Sequence, residues 1–223
     1  MVRPALAGHG IADVLAAFAL VGCSHDSDPF TRKEYTADAA QIEEIRIDVR
    51  DREIKAAVSE DGQLRIVYYE NSKEGYDIAV SAQKVLTMTG TSNKGWKDYF
   101  GVKPAAENRK ILVQLPEEAL ENLLISTTNG DIRIPALAVT GSIRLFSNGG
   151  DIGFEKLTVG DGLYLTAKNG NISGTVGGGY EDFAIQAETK KGESNLPGNK
   201  ESGEKTLHVS CNNGDVFVEF VKD

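Results

Sequence analysis

The chain has 223 residues, 40% of them hydrophobic, and carries 24 basic against 33 acidic side chains for a formal net charge of −9. That is enough to bury a core in one elongated domain or two small ones. An acidic chain with no Lys/Arg cluster argues against nucleic acid as a partner, because neutralising phosphates takes concentrated positive charge. Downstream of the N-terminal segment, no apolar run approaches the roughly eighteen residues of a membrane span.

Taken in order, the chain begins unlike the rest of itself. Arg3 precedes an apolar run from Val14 to Gly22, which stops at Leu20-Val21-Gly22-Cys23 and gives way to polar residues from Ser24 to Asp28. A basic end, a modest apolar segment and a small residue before cysteine form the pattern of a bacterial lipoprotein signal. This predicts a signal peptide over 1–22, lipidation at Cys23, and a polar tether over 23–40. His9 and Asp13 interrupt the apolar part, so a plain N-terminal extension stays open as the alternative. The other cysteine, Cys211, falls at a small inward position and reads as a buried, inert thiol.

An irregular β region is expected over 41–116. Ile45, Ile47 and Val49 alternate with polar residues, as do Leu64, Ile66 and Tyr68 after the turn at Asp61-Gly62, the period of a strand with one buried face. These strands read as irregular first coils or as a cap. Between Gly90 and Arg109 the pattern lapses, and Trp96, Tyr99 and Phe100 form the densest aromatic group. They read as a ligand-binding loop able to stack on a sugar or peptide, or as rings plugging one end of the core. Ile111, Val113 and Leu115 resume the alternation until Pro116.

From 117 to 223 one pattern recurs. Asn129-Gly130-Asp131-Ile132, Gly149-Gly150-Asp151-Ile152, Asn169-Gly170-Asn171-Ile172 and Asn213-Gly214-Asp215-Val216 each follow an alternating segment, the first three about twenty residues apart. Aligned on these turns, Leu123, Ile143 and Leu163 share a position, as do Ile125, Leu145 and Leu165, then Thr127, Ser147 and Ala167. Arg144, Tyr164 and Thr166 fall between them and face outward. Leu137 over Leu157 and Val139 over Val159 add a third column. Three apolar columns per repeat predict an all-β fold, a right-handed parallel β-helix or β-solenoid of about twenty residues per coil. An antiparallel β-sandwich is the alternative, since Asn-Gly also makes hairpin turns. The glycines are expected to supply positive φ. Phe183, Ile185 and Ala187 are expected to continue the inward series, followed by a polar inserted loop at Pro197 to Lys205 and the return at Leu207, Val209 and Cys211.

Little here announces chemistry. His9, His25 and His208 are the only histidines, and His208 lies between two inward residues, so it faces solvent. No spaced Cys/His set suggests zinc, and no cofactor is implied. Asp131, Asp151 and Asp215 occupy equivalent turn positions and are weak calcium candidates, although such side chains also hydrogen-bond their own turns. Asp77, Asp98 and Glu181 are the carboxylates that a polysaccharide-acting enzyme on this scaffold would draw on.

The strand Ile111-Leu112-Val113-Gln114-Leu115-Pro116, then Leu123 to Ile132 and the repeated Asn-Gly-Asp turns, resembles the bacterial "putative adhesin" family of unknown function, from about residue 42 onward. The resemblance implies a β-helix-like domain exported to or beyond the bacterial envelope and brings no catalytic residues. The resulting expectation is a lipid-anchored envelope or cell-surface module, non-catalytic, with a membrane contact through its anchor and a glycan or envelope protein as partner. An enzyme acting on polysaccharide and an envelope-stress sensor are the other readings.

Overall fold

The alternation read between Leu123 and Ala167 becomes a ladder of parallel strands. In the computed structural model, which describes residues 28–94, 104–116 and 120–222, β8 (Asn122–Thr127), β11 (Ser142–Ser147) and β13 (Gly162–Asn169) pair in parallel. Leu123 lies beside Ile143 and Ile143 beside Leu163, so each step is twenty residues. All three are fully buried, as are Leu145 and Leu165 in the next column. Burying such a side chain contributes about 1.5–3 kcal/mol, so a one-residue slip, which would turn every one of them outward, is strongly disfavoured.

The described chain is all-β, arranged as two nine-stranded sheets of mixed direction. The first sheet runs in the spatial order β16 (Asn199–Lys200), β15 (Phe183–Lys191), β17 (Lys205–Asn213), β13, β11, β8, β2 (Glu44–Val49), β6 (Val85–Ser92), β5 (Glu74–Val80). The second runs β1 (Thr31–Ala37), β4 (Leu64–Glu70), β7 (Lys110–Leu115), β3 (Glu53–Val58), β9 (Ile132–Ile134), β12 (Ile152–Thr158), β14 (Ile172–Gly177), β18 (Val216–Val221). Their inner faces share one apolar cluster running from Ile42 to Val218. The chain crosses from one sheet to the other at each Asn-Gly-Asp turn, a solenoid-like path. The antiparallel pairs β1–β4, β4–β7, β5–β6 and β15–β16 gather at the two ends of the stack. There they cover edges that would otherwise template association.

The structure corrects three expectations. The third column does form, Leu137 beside Leu157, but β10 (Leu137–Ala138) joins β12 as an extension of the second sheet and not as a sheet of its own. The windings do not follow chain order. β17 lies between β13 and β15, placing Leu207 against both Leu163 and Ile185. β15 therefore caps the stack from outside the C-terminal winding. At the other end β2 lies between β6 and β8.

The third correction concerns the turn glycines. Of Gly130, Gly150, Gly170 and Gly214 only Gly214 has a left-handed φ, 149°. What unites them is proximity. A Cβ on Gly130 would stand 2.0 Å from the Arg52 carbonyl oxygen, one on Gly150 2.3 Å from that of Gly130, and one on Gly170 2.3 Å from that of Gly150. Each turn rests directly on the backbone of its neighbour, and no side chain fits between them. Gly150→Ala should therefore destabilise the protein by about 1–3 kcal/mol, as overpacking does. Gly90→Ala, whose Cβ would meet nothing closer than 3.9 Å, should stay within about 0.5 kcal/mol of the parent. Urea midpoints compare the two, and equal losses would contradict the close-packed turn.

Candidate functional site

The turns also carry a polar ladder. The Asp151 amide donates to Asp131 Oδ1 at 2.9 Å, the Asn171 amide to Asp151 Oδ1 at 2.8 Å, the Asp215 amide to Asn171 Oδ1 at 2.9 Å, and the Glu193 amide to Asp215 Oδ1 at 2.9 Å. Each rung needs only an acceptor oxygen, so Asn171 serves as well as an aspartate. Arg133 reaches Asp131 at 2.8 Å and Asp151 at 3.5 Å. Among the described residues no three His, Cys, Asp or Glu side chains converge as a metal site would require. One column further in, Thr127 Oγ1 donates to the Arg52 carbonyl at 2.8 Å, Ser147 Oγ to the Gly130 carbonyl at 3.0 Å, and Cys211 Sγ to the Gly214 carbonyl at 3.2 Å. Burial, with Asp215 nearby, pushes the Cys211 thiol above its usual range, leaving little nucleophilic thiolate.

A second polar cluster went unseen in the sequence. Arg52 follows the first parallel strand in a segment that reads as a loop, yet it is only 4% exposed. Its guanidinium meets Glu74 at 2.7 Å and the Tyr76 hydroxyl at 2.5 Å, and donates to the carbonyls of Arg50 and Asp51. Lys94 meets the other Glu74 oxygen at 2.6 Å. Burial opposes charge on Glu74, but hydrogen bonds from Lys94 and Arg52 outweigh it and hold the carboxyl below its usual range. This cluster bolts the β5–β6 hairpin to the first winding. Its partners lie 22 residues apart in sequence, and no local spacing announces them.

The carboxylates weighed for catalysis do not assemble. Asp77 lies on β5 at one edge of the first sheet, while Glu181 precedes β15 near the other edge and reaches Lys200 at 3.6 Å. With seven strand steps between β5 and β15, the two are separated by about 30 Å, against the roughly 5–10 Å of glycosidase pairs. Cys23, Trp96, Asp98, Tyr99 and Phe100 lie outside the described residues.

The outer face of the first sheet does hold a recess. A shallow groove of about 410 Å³ crosses β2, β8, β11 and β13, with Leu124 and Phe146 among its lining and Arg144 and Tyr164 at its β11–β13 side. Cross-strand register sets Arg46 beside Leu124, Leu124 beside Arg144, and Arg144 beside Tyr164. The Arg144 guanidinium stands 3.8 Å from the Tyr164 ring centre. Gly162 shapes this arrangement, since a Cβ there would lie 2.9 Å from the Tyr164 ring. Beyond Tyr164, His208 follows at 6.4 Å between ring centres and contacts Gln186 at 3.2 Å. The Lys168 ammonium stands 5.6 Å from the Phe146 ring centre. The outward residues of the repeat were legible as outward. Their assembly into one groove depends on register across four strands.

A family model described as Toastrack DUF4097 matches residues 42–178. Among solved structures, one described as a "putative cell adhesion protein" from Clostridium sporogenes is similar at 12% identity, TM-score 0.59, covering 86% of this chain and all of that one. A second, described as a "putative adhesin" from Bacteroides fragilis, is 12% identical with TM-score 0.38, covering 87% of this chain and 98% of that one. No curated protein matches the sequence.

The Arg52 cluster yields a stability test. Arg52→Ala should cost about 3 kcal/mol, because it strips one partner from a buried pair. Since the Glu74 carboxyl is lowered on folding, its contribution is fully present above its unfolded value near 4.3 and is lost as pH falls through the lower folded value. Stability measured between neutral pH and acid should fall less steeply in Glu74→Gln than in the parent; parallel curves would refute this account.

Proposed function

The chain belongs to the Toastrack DUF4097 family, and from that premise we propose that it is an exported, non-catalytic binding module of the bacterial envelope, held to a membrane by lipid on Cys23. The observation that carries the reading is the groove on the outer face of the first sheet, where apolar floor, aromatic rings and guanidinium groups meet on rigid parallel strands. Rings present flat apolar surface to the faces of sugars, and a hydroxylated ligand finds hydrogen-bonding partners in Ser126 and Thr166 on the same lining. An envelope glycan is the ligand class this combination suits best.

Other features support the same picture. The wide separation of Asp77 and Glu181 favours binding over hydrolysis. The windings are proposed to be right-handed with about twenty residues each, in keeping with the strong preference of parallel crossovers for that hand. That the similar Clostridium sporogenes protein is described as a "putative cell adhesion protein" agrees with a surface role.

Two variants of the full chain test the proposal in a bacterial host. Cys23→Ala should abolish incorporation of labelled palmitate and release the protein from membranes. Phe146→Ala, folded by circular dichroism, should lose at least about tenfold in binding to purified envelope polysaccharide, the magnitude expected when one stacking ring is removed. Unchanged binding in Phe146→Ala would remove the groove from the account, and palmitate incorporation in Cys23→Ala would remove the anchor.

A further inference from the structure

We propose that the groove on the first sheet selects a linear glycan in which carboxylate-bearing sugars alternate with neutral ones, an inference that rests on the reading of this face as the glycan site. In a chain of net charge −9, many cations on described surfaces have carboxylate partners. Arg46 is paired with Glu44, Arg65 with Asp61 and Glu34, and Lys84 with Glu43. Arg144, on the groove lining, and Lys168, beside Phe146, are among those without one. Each contacts an aromatic ring, Tyr164 and Phe146 respectively, and neither has an ion pair or hydrogen bond among the described residues. Arg144 on the lining, with Lys168 next to its Phe146, leaves two cations without counter-charge on an acidic protein and marks the place for an anion.

Chemistry narrows the anion. The Arg144 guanidinium carbon stands 3.8 Å from the Tyr164 ring centre, a contact that restrains the side chain while its N–H groups can form paired hydrogen bonds with a carboxylate. Preorganisation of this kind reduces the entropy lost on binding. The β2 side of the groove differs, because its cation, Arg46, is already paired with Glu44. Asp48, on β2, lines it and has no hydrogen-bond or ion-pair partner among the described residues. It sits in the cross-strand row of Ser126 and Phe146, about 10 Å from the Phe146 backbone at the usual strand spacing. A polymer charged on every unit would set an anion against Asp48. A polymer whose charge alternates puts a carboxylate at Arg144 and Lys168 and presents neutral hydroxyls, which donate well to a carboxylate, at Asp48.

A peptide fits less well. The strands under the groove are interior to the sheet and their backbone groups are paired with neighbours, so an extended peptide cannot add to them as a strand. The recess is shallow, and it lacks the enclosed pocket that a protein hot spot fills.

Calorimetry with the purified full chain tests this against three probes: an alternating uronate and N-acetylhexosamine polymer, the same polymer with its carboxyls reduced to alcohols, and a homopolymer of uronate. The alternating polymer should bind at least about tenfold more tightly than its reduced form, as expected for a hydrogen bond to a charged group. Arg144→Gln should remove that preference, read as the ratio of the two affinities, so that the alternating and reduced polymers bind the variant alike. Asp48→Asn should relieve the discrimination against the homopolymer. Equal binding of the alternating and reduced polymers, both weakened by Phe146→Ala, would overturn the acidic-sugar inference while leaving the glycan site in place. Failure of all three probes to bind, where envelope polysaccharide does bind, would also overturn the inference and leave the site; failure of every glycan would overturn both.

Discussion

The structure depends on how closely one turn sits on the next. A Cβ at Gly130, Gly150 or Gly170 would fall 2.0–2.3 Å from a neighbouring carbonyl oxygen, so the spacing of the windings is set by backbone against backbone. Everything inside follows from that spacing. Strands brought into parallel register stack like side chains on like, and the inward hydroxyls of Thr127 and Ser147 reach turn carbonyls that face inward. Outside, the acid or amide after each glycine accepts the amide of the next turn. A turn of this kind is satisfied only when its neighbour is present, so a single winding has little stability alone.

That dependence explains the composition of the repeat better than local turn geometry does. Positive φ would have required glycine at one position in each turn, whatever lay beside it. Close approach requires glycine only where another turn stacks. Gly192 meets both demands, since its φ is 138° and a Cβ there would lie 2.0 Å from the Gly214 carbonyl oxygen. The reordered C-terminal winding is thus recorded in its turns: Asp215 bonds to Asn171 on one side and to Glu193 on the other, although Glu193 precedes it in the chain.

Legibility in the sequence followed the same division. The inward columns could be read because two periods coincide, alternation within a strand and twenty residues between strands, and an error in either would expose Ile143 or Leu165. The order of the last windings could not be read. Both Ile185 and Leu207 offer an apolar alternation that suits the edge of β13, and nothing local says which arrives there; the cap belongs to β15 because β17 takes the inner place. Arg52 was invisible for a related reason. Its burial depends on Glu74, Tyr76 and Lys94, which come from a region without the repeat, and an isolated arginine after a strand looks like any solvated one. In the groove, Arg144 and Tyr164 were placed outward correctly from the alternation alone, whereas their contact required the register and the missing side chain at Gly162.

Because the interior is fixed by stacking and the ends are covered by antiparallel strands, recognition is left to the faces. A face of paired strands has no free backbone groups to offer, so selectivity there must come from side chains arrayed on a grid, about 4.8 Å between strands and about 7 Å between like-facing residues along one. Such a grid suits an extended, repeating ligand better than a compact one, since each strand adds a row at the same interval. In this chain the grid is mostly acidic or neutral, and the exceptional rows are those where Arg144 lies on Tyr164 and Lys168 approaches Phe146. The rigidity that the turn glycines impose on the core is therefore also what holds these cations in place without carboxylate partners of their own.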